Sequence, residues 1–155
     1  MNVYSDGSFC RKSRAAGVGV YYKTGQAPMV KEVRMSQAYA HVLDNNHAET
    51  LAVVFAVKQI MANQIKGSLT VVTDSDHVYE VWSGVKSACD KQRPLFKLLH
   101  ELSLNFQQFN MIVTKGHSGL KGIENEQCDR LAKQAMRAMR DNRANPMGCD
   151  TILLS

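Results

Sequence analysis

The chain has 155 residues, 45% of them hydrophobic and 21% charged, which is the size and balance of about one globular domain with a single core. Its formal net charge of +5 favours polyanionic partners. No run reaches the roughly eighteen apolar residues of a membrane helix, no signal pattern opens the chain, and Cys10, Cys89, Cys128 and Cys149 lack metal-knuckle spacing, so membrane insertion, export and a disulfide scaffold give way to reduced thiols in a cytoplasmic compartment.

In chain order, Val3 to Phe9 predicts a first strand running into Asp6-Gly7-Ser8, and the basic segment Cys10 to Arg14 a hairpin loop. Ala16 to Tyr22 predicts a second strand, Thr24-Gly25-Gln26 a turn, and Met29 to Met35 a third strand, together an antiparallel meander. The N-capping cluster Asp44-Asn45-Asn46 precedes a helix over Ala48 to Ala62, nearly apolar all round and therefore buried on most faces. Leu69 to Thr73 predicts a short buried strand leading to Asp74, followed by a helix from Ser75 to Trp82. After a loop carrying Lys86, Lys91 and Arg93, Pro94 suits the first turn of an amphipathic helix bearing Leu95, Leu98, Leu99 and Leu102. Asn110 to Lys115 is the last predicted strand, Gly116 to Gly122 a glycine-punctuated loop, and Glu124 to Arg140 the last helix. The expected organisation is one α/β domain over 1–141 and an irregular tail over 142–155. Its core is a mixed sheet flanked by helices.

Four acids fall at ends of these elements: Asp6 on the first strand, Asp74 after the fourth, Glu49 at the start of the buried helix and Asp129 near the start of the last. Each has a local explanation, as a turn residue, an N-cap or a charge favourable to a helix N-terminus. If they converge, mutual repulsion raises their pKa values unless cations sit among them. Oxygen ligands of this kind suit Mg²⁺, and two ions about 3.5–4 Å apart could activate water and stabilise a leaving oxygen in phosphodiester cleavage.

The segments Tyr4-Ser5-Asp6-Gly7-Ser8, Asn45-Asn46-His47-Ala48-Glu49, Thr73-Asp74-Ser75, Lys115-Gly116-His117-Ser118-Gly119 and Glu124 to Ala132 stand in the order found in ribonuclease H of type 1, which residues 1 to about 140 resemble. The resemblance implies the ribonuclease H-like fold: a five-stranded mixed sheet, three antiparallel strands then two parallel, flanked by helices. It implies an endonuclease, expected to be monomeric, that cuts the RNA strand of RNA/DNA hybrids by two-metal chemistry and leaves 5′-phosphate and 3′-hydroxyl ends. Two Mg²⁺ ions, with Mn²⁺ as a substitute, would be held by Asp6, Glu49, Asp74 and Asp129. His117 matches the family's mobile-loop histidine, which serves proton transfer or product release, and neutral-range titration suits that role. Asn45 and Asn46 match the pair that contacts the hybrid's minor groove, where 2′-hydroxyls mark RNA. Gly7 is expected to keep the backbone slim where a phosphate approaches, with Ser8 beside it.

The sequence departs from the family in places. The Gly84–Arg93 stretch is too short for the basic, tryptophan-rich protrusion of many members, so Lys86, Lys91 and Arg93 are expected to form a reduced substitute, and weaker substrate binding follows. Asp76 and Asp44 replace a glutamine and a threonine that reach nucleic acid. Two other readings compete: a nuclease-fold module that binds nucleic acid without cutting it, and a DNA-acting relative of the integrase or resolvase type. The four acids weigh against the first, and Asn45-Asn46 with the Lys115–Gly119 segment against the second.

Overall fold

The computed structural model describes residues 1–114, 122–144 and 151–152. Strand β1 (Asn2–Cys10) is the middle of a five-stranded mixed sheet, with β2 (Ala15–Thr24) antiparallel on one side and β4 (Ser68–Thr73) parallel on the other. Strand β3 (Lys31–Tyr39) pairs antiparallel with β2, and β5 (Gln108–Val113) parallel with β4. The expected order, three antiparallel strands followed by two parallel ones, is therefore present. The two residues of β6 (Thr151–Ile152) add to the free edge of β3, so the tail is not irregular throughout.

Strand alternation divides the helices between the two faces of the sheet. Val18, Val20 and Tyr22 join one buried cluster with α1 (Asn45–Ala62) and with Phe96 and Leu99 of α3 (Arg93–Ser103). Ala52 to Val57 are all buried, which explains why α1 carries almost no polar stripe. Burial of side chains such as Val53, Val57 and Ile60 contributes about 1.5–3 kcal/mol each. Between the two helices, α2 (Asp76–Trp82) inserts Val78 and Val81 into the same core.

Helix α4 (Ile123–Ala144) covers the opposite face, where Gly17 and Gly19 replace side chains. A Cβ on Gly17 would lie 2.1 Å from the Ala132 carbonyl oxygen, and one on Gly19 2.2 Å from that of Cys128. The two glycines thus let a helix backbone lie directly on the strand. Leu131 and Met139 are buried on that helix face, with Cys128, Ala132 and Ala135 fully enclosed.

Several boundaries move from their expected positions. The third strand begins at Lys31 rather than Met29 and runs on to Tyr39, because residues 26–29 close a turn through the Met29 N–H and the Gln26 carbonyl. Met29 stays 75% exposed, so its apolar character does not mark a strand. The added residues Ser36 and Ala38 are buried but small, a pattern that hydrophobic alternation misses. Helix α1 starts one turn early, at Asn45, and α4 continues to Ala144, beyond the boundary expected at 141.

Candidate active site

Asp6 is carried by the central strand, opposite Gly19 and on the face that α4 covers. Its side chain reaches the sheet's interior and is 6% exposed. Gly7, one residue on, points to the other face, and there the reason for a glycine is visible. A Cβ would stand 2.6 Å from the carbonyl carbon and oxygen of Ala48 and 2.8 Å from the nitrogen of Glu49. The first turn of α1 therefore sits against bare strand backbone, which gives Gly7 a role in helix docking. The docking brings Glu49 around the strand: the Gly7 N–H donates to Glu49 Oε1 at 3.3 Å and to Asp6 Oδ1 at 2.9 Å.

Asp74 follows β4 directly and completes the group, its carboxylate lying with those of Asp6 and Glu49 so that one oxygen of each falls within 4.8 Å of the others. It is not an N-cap. Ser75 takes that task, its Oγ accepting from the Val78 N–H at 3.2 Å, while the Ser75 N–H donates to Thr73 Oγ1. Asp129, on α4, stands beside Asp6 but outside this trio. Its Oδ2 is 3.0 Å from Lys133 Nζ, one helical turn further on. Three of the four expected acids are thus drawn together and the fourth is adjacent.

Electrostatics follow from that crowding. Burial, then the Asp74 charge, pushes the Asp6 carboxyl up to about 8, against the relief given by its hydrogen-bonding contact with Glu49. Burial, then Asp6 and Asp74, raises Glu49 well above the usual carboxylate range. Burial, then Asp6, also raises the Cys128 thiol. Glu49 Oε2 is buried without a hydrogen-bond partner among the described residues. An all-oxygen trio with an unpartnered buried carboxylate oxygen fits a hard divalent cation, whose charge would remove the repulsion and satisfy the orphan atom.

The rim is built by the entry to α1. Asp44 is the N-cap, its Oδ1 accepting from the His47 N–H at 2.7 Å. Its acidity, awkward beside a phosphate, is explained by this helix-capping role. His47 Nδ1 in turn accepts the Leu43 N–H at 3.1 Å, and burial holds its pKa down. Asn45 and Asn46 are thereby freed from capping and project exposed at the helix start. Ser8 shares the face of Asp6 and is half-buried.

The ten residues between α2 and α3 form only turns, and the expected basic substitute is partly spent. Lys86 Nζ pairs with Glu80 at 2.6 Å and Arg93 with Asp90 at 2.9 Å, whereas Lys91 is exposed and has no ion pair among the described residues. Trp82 stacks on His100 at 4.1 Å and is committed to packing. His117 lies outside the described residues.

Some residues that shape the site carried no local signal in the sequence. Arg14, at φ 60°, donates from Nε and Nη2 to the carbonyls of Val42 and Leu43 and so fastens the β1–β2 turn to the segment before α1. Together with Phe9, Arg11, Leu43, Asp44 and Asn45 it lines a cleft of about 550 Å³ beside the two asparagines. Arg34 of β3 binds Gln127, two residues before Asp129, pairs with Glu32 and lies over the Tyr21 ring at 5.5 Å. Such contacts join residues up to 93 positions apart and are invisible to spacing.

Comparison with known proteins supplies an independent line. The RNase H family model matches residues 1–137. No curated protein matches the sequence. Among solved structures, RNase H1 of Halobacterium salinarum NRC-1 superposes with a TM-score of 0.70 at 23% identity, covering 88% of this chain and 96% of its own. The N-terminal RNase H domain of Rv2228c from Mycobacterium tuberculosis, solved as a fusion with maltose-binding protein, gives 0.68 at 24%, with 88% and 99% covered. LC11-RNase H1 in complex with an RNA/DNA hybrid gives 0.72 at 17%, with 88% and 96% covered.

Proposed function

Since the chain belongs to the ribonuclease H family, and is a ribonuclease H enzyme by that membership, we propose that it hydrolyses the RNA strand of RNA/DNA hybrids internally, leaving 5′-phosphate and 3′-hydroxyl ends. The observation that carries this reading is the trio of buried Asp6 and Glu49 and half-buried Asp74, with Asp129 beside it. These residues would hold two Mg²⁺ ions, or Mn²⁺ in their place. Bound there, divalent cations would supply a polarised water at neutral pH and offset charge on the phosphate oxygens.

The protein's own groups do the rest. Asp6 is fixed by a central strand and Glu49 by a helix packed on Gly7, so neither carboxylate needs to reorganise when substrate arrives. Asn45 and Asn46, exposed at the helix start, offer amide donors and acceptors to 2′-hydroxyls in the minor groove. Ser8 lies within the strand that bears Asp6 and would face the phosphate side, while Gly7 acts through the docking of α1. Lys91, with smaller contributions from Lys86 and Arg93, would touch the backbone of the duplex. His117 would pass a proton to or from the reacting phosphate or leaving oxygen. The enzyme is proposed to act as a monomer; among the described residues no helix is long and apolar enough to cross a membrane.

The test uses labelled RNA/DNA, RNA/RNA and DNA/DNA duplexes with Mg²⁺, with Mn²⁺ and with chelator, beside Asp6→Asn. Cleavage confined to the RNA of the hybrid, dependent on the cation and absent in the variant, is expected. Binding without cleavage by the unaltered protein would favour a non-catalytic module, and cleavage of DNA/DNA a DNA-acting relative.

A further inference from the structure

The fourth carboxylate differs from the other three in having a cation of its own. Asp129 Oδ2 is 3.0 Å from Lys133 Nζ, and the two side chains are 30% and 48% exposed. Asp6, Glu49 and Asp74 have no basic partner among the described residues; their hydrogen bonding is confined to the Gly7 N–H and to contacts among the acids themselves. The spacing of the pair is i,i+4 on a continuous helix, where the two side chains are neighbours.

An oxygen that accepts from an ammonium cannot at the same time offer that lone pair to a divalent ion. We propose that Lys133 is a built-in competitor for Asp129 Oδ2, whose charge and hydrogen bond weaken the carboxylate as a ligand, so that it sets the concentration of divalent ion at which the Asp129 side of the site fills. This rests on the four-carboxylate reading given above and adds a residue that the reading does not contain. The direction is the distinctive part: loss of a positive charge at the edge of a nuclease site should tighten metal binding. Lys133 is exposed on α4, as are Arg130 and Arg137. Ion pairs of this exposure are modest in strength, and the expected gain is about threefold in affinity.

The experiment measures Mn²⁺ binding in solution, by the loss of the free-ion paramagnetic resonance signal, without nucleic acid. It compares the unaltered protein with Lys133→Gln, Lys133→Arg and Asp129→Asn. The component of binding lost in Asp129→Asn defines what Asp129 holds. That component should tighten about threefold in Lys133→Gln and stay unchanged in Lys133→Arg, which keeps the charge. In the hybrid-cleavage assay the Mg²⁺ concentration for half-maximal rate should fall by the same factor in Lys133→Gln, with KM for the hybrid unchanged. A Lys133→Gln curve that overlays or lies weaker than the unaltered one overturns the proposal alone. A raised KM with an unmoved cation curve does the same and makes Lys133 a substrate contact. If Asp129→Asn binds Mn²⁺ like the unaltered protein, the four-carboxylate reading falls as well.

Discussion

Asp6→Asn should stabilise the protein in chelator while removing its activity. The folded state lifts the Asp6 carboxyl from 3.8 to about 8, through burial first and the Asp74 charge second. A raised carboxyl pKa means that the folded state binds more protons than the unfolded chain between those two values, so stability falls as pH rises through this window. At 1.36 kcal/mol per pKa unit, the stability lost through this pKa difference is roughly 2 kcal/mol at pH 5 and about 5 kcal/mol at pH 8. Asparagine removes the charge and keeps an oxygen for the Gly7 N–H, yet its amide must still be buried, at about 1–3 kcal/mol. The net expected at pH 8 is therefore about 3 kcal/mol, or roughly 9 °C in Tm for a chain of this length. At pH 5 the gain should shrink to near zero. Saturating Mg²⁺ should raise the Tm of the unaltered protein towards or beyond that of the variant, because a bound cation neutralises the same repulsion. Thermal unfolding at pH 5 and pH 8, with chelator and with Mg²⁺, reads all of this. A variant no more stable than the unaltered protein in chelator at pH 8, or one whose advantage is equal at both pH values, would refute the claim that the trio is held together against its own charge.

Other outcomes follow from the same geometry. Gly7→Ala would drive a Cβ into the Ala48 carbonyl, so denaturant unfolding should show a loss of about 1–3 kcal/mol, and Mn²⁺ binding should weaken because Glu49 moves with α1. Gly19→Ala, against the Cys128 carbonyl, should destabilise at least as much, with urea unfolding as the measure. In a salt series of hybrid binding, Lys91→Ala should lower the slope of log K against log salt by about 1, whereas Asp90→Asn, which frees Arg93, should tighten binding. Asn45→Ala together with Asn46→Ala should raise KM for the hybrid by about tenfold with little change in Tm, since Asp44 and His47 carry the capping; a large fall in Tm would return the pair to a structural role.

What the chain states by itself is the order of its elements and the identity of its acids. Val3 to Phe9 and Leu69 to Thr73 are patterned as strands, the length and alanines around Leu51 to Val57 favour an enclosed helix, and the carboxylates lie in or at the ends of these elements. Such features are local: they depend on alternation, on helical period and on which residue ends an element. Even so, small residues hid part of the signal, as at Ser36 and Ala38, where burial adds little hydrophobic contrast.

The convergence of the acids is a different kind of fact. It depends on β1 pairing with β4 as a parallel neighbour, and on two helix backbones reaching the sheet at Gly7 and at Gly17 and Gly19. No spacing reveals that Gly7 makes room for α1, because the residue whose backbone it clears lies 41 positions away. The same holds for the Arg34–Gln127 contact, the loss of Lys86 and Arg93 to neighbouring acids, and the attachment of Arg14 to the entry of α1. Sequence determined which groups are available for chemistry; the packing of distant backbone decided which of them meet, which are already paired, and how strongly each resists carrying its charge.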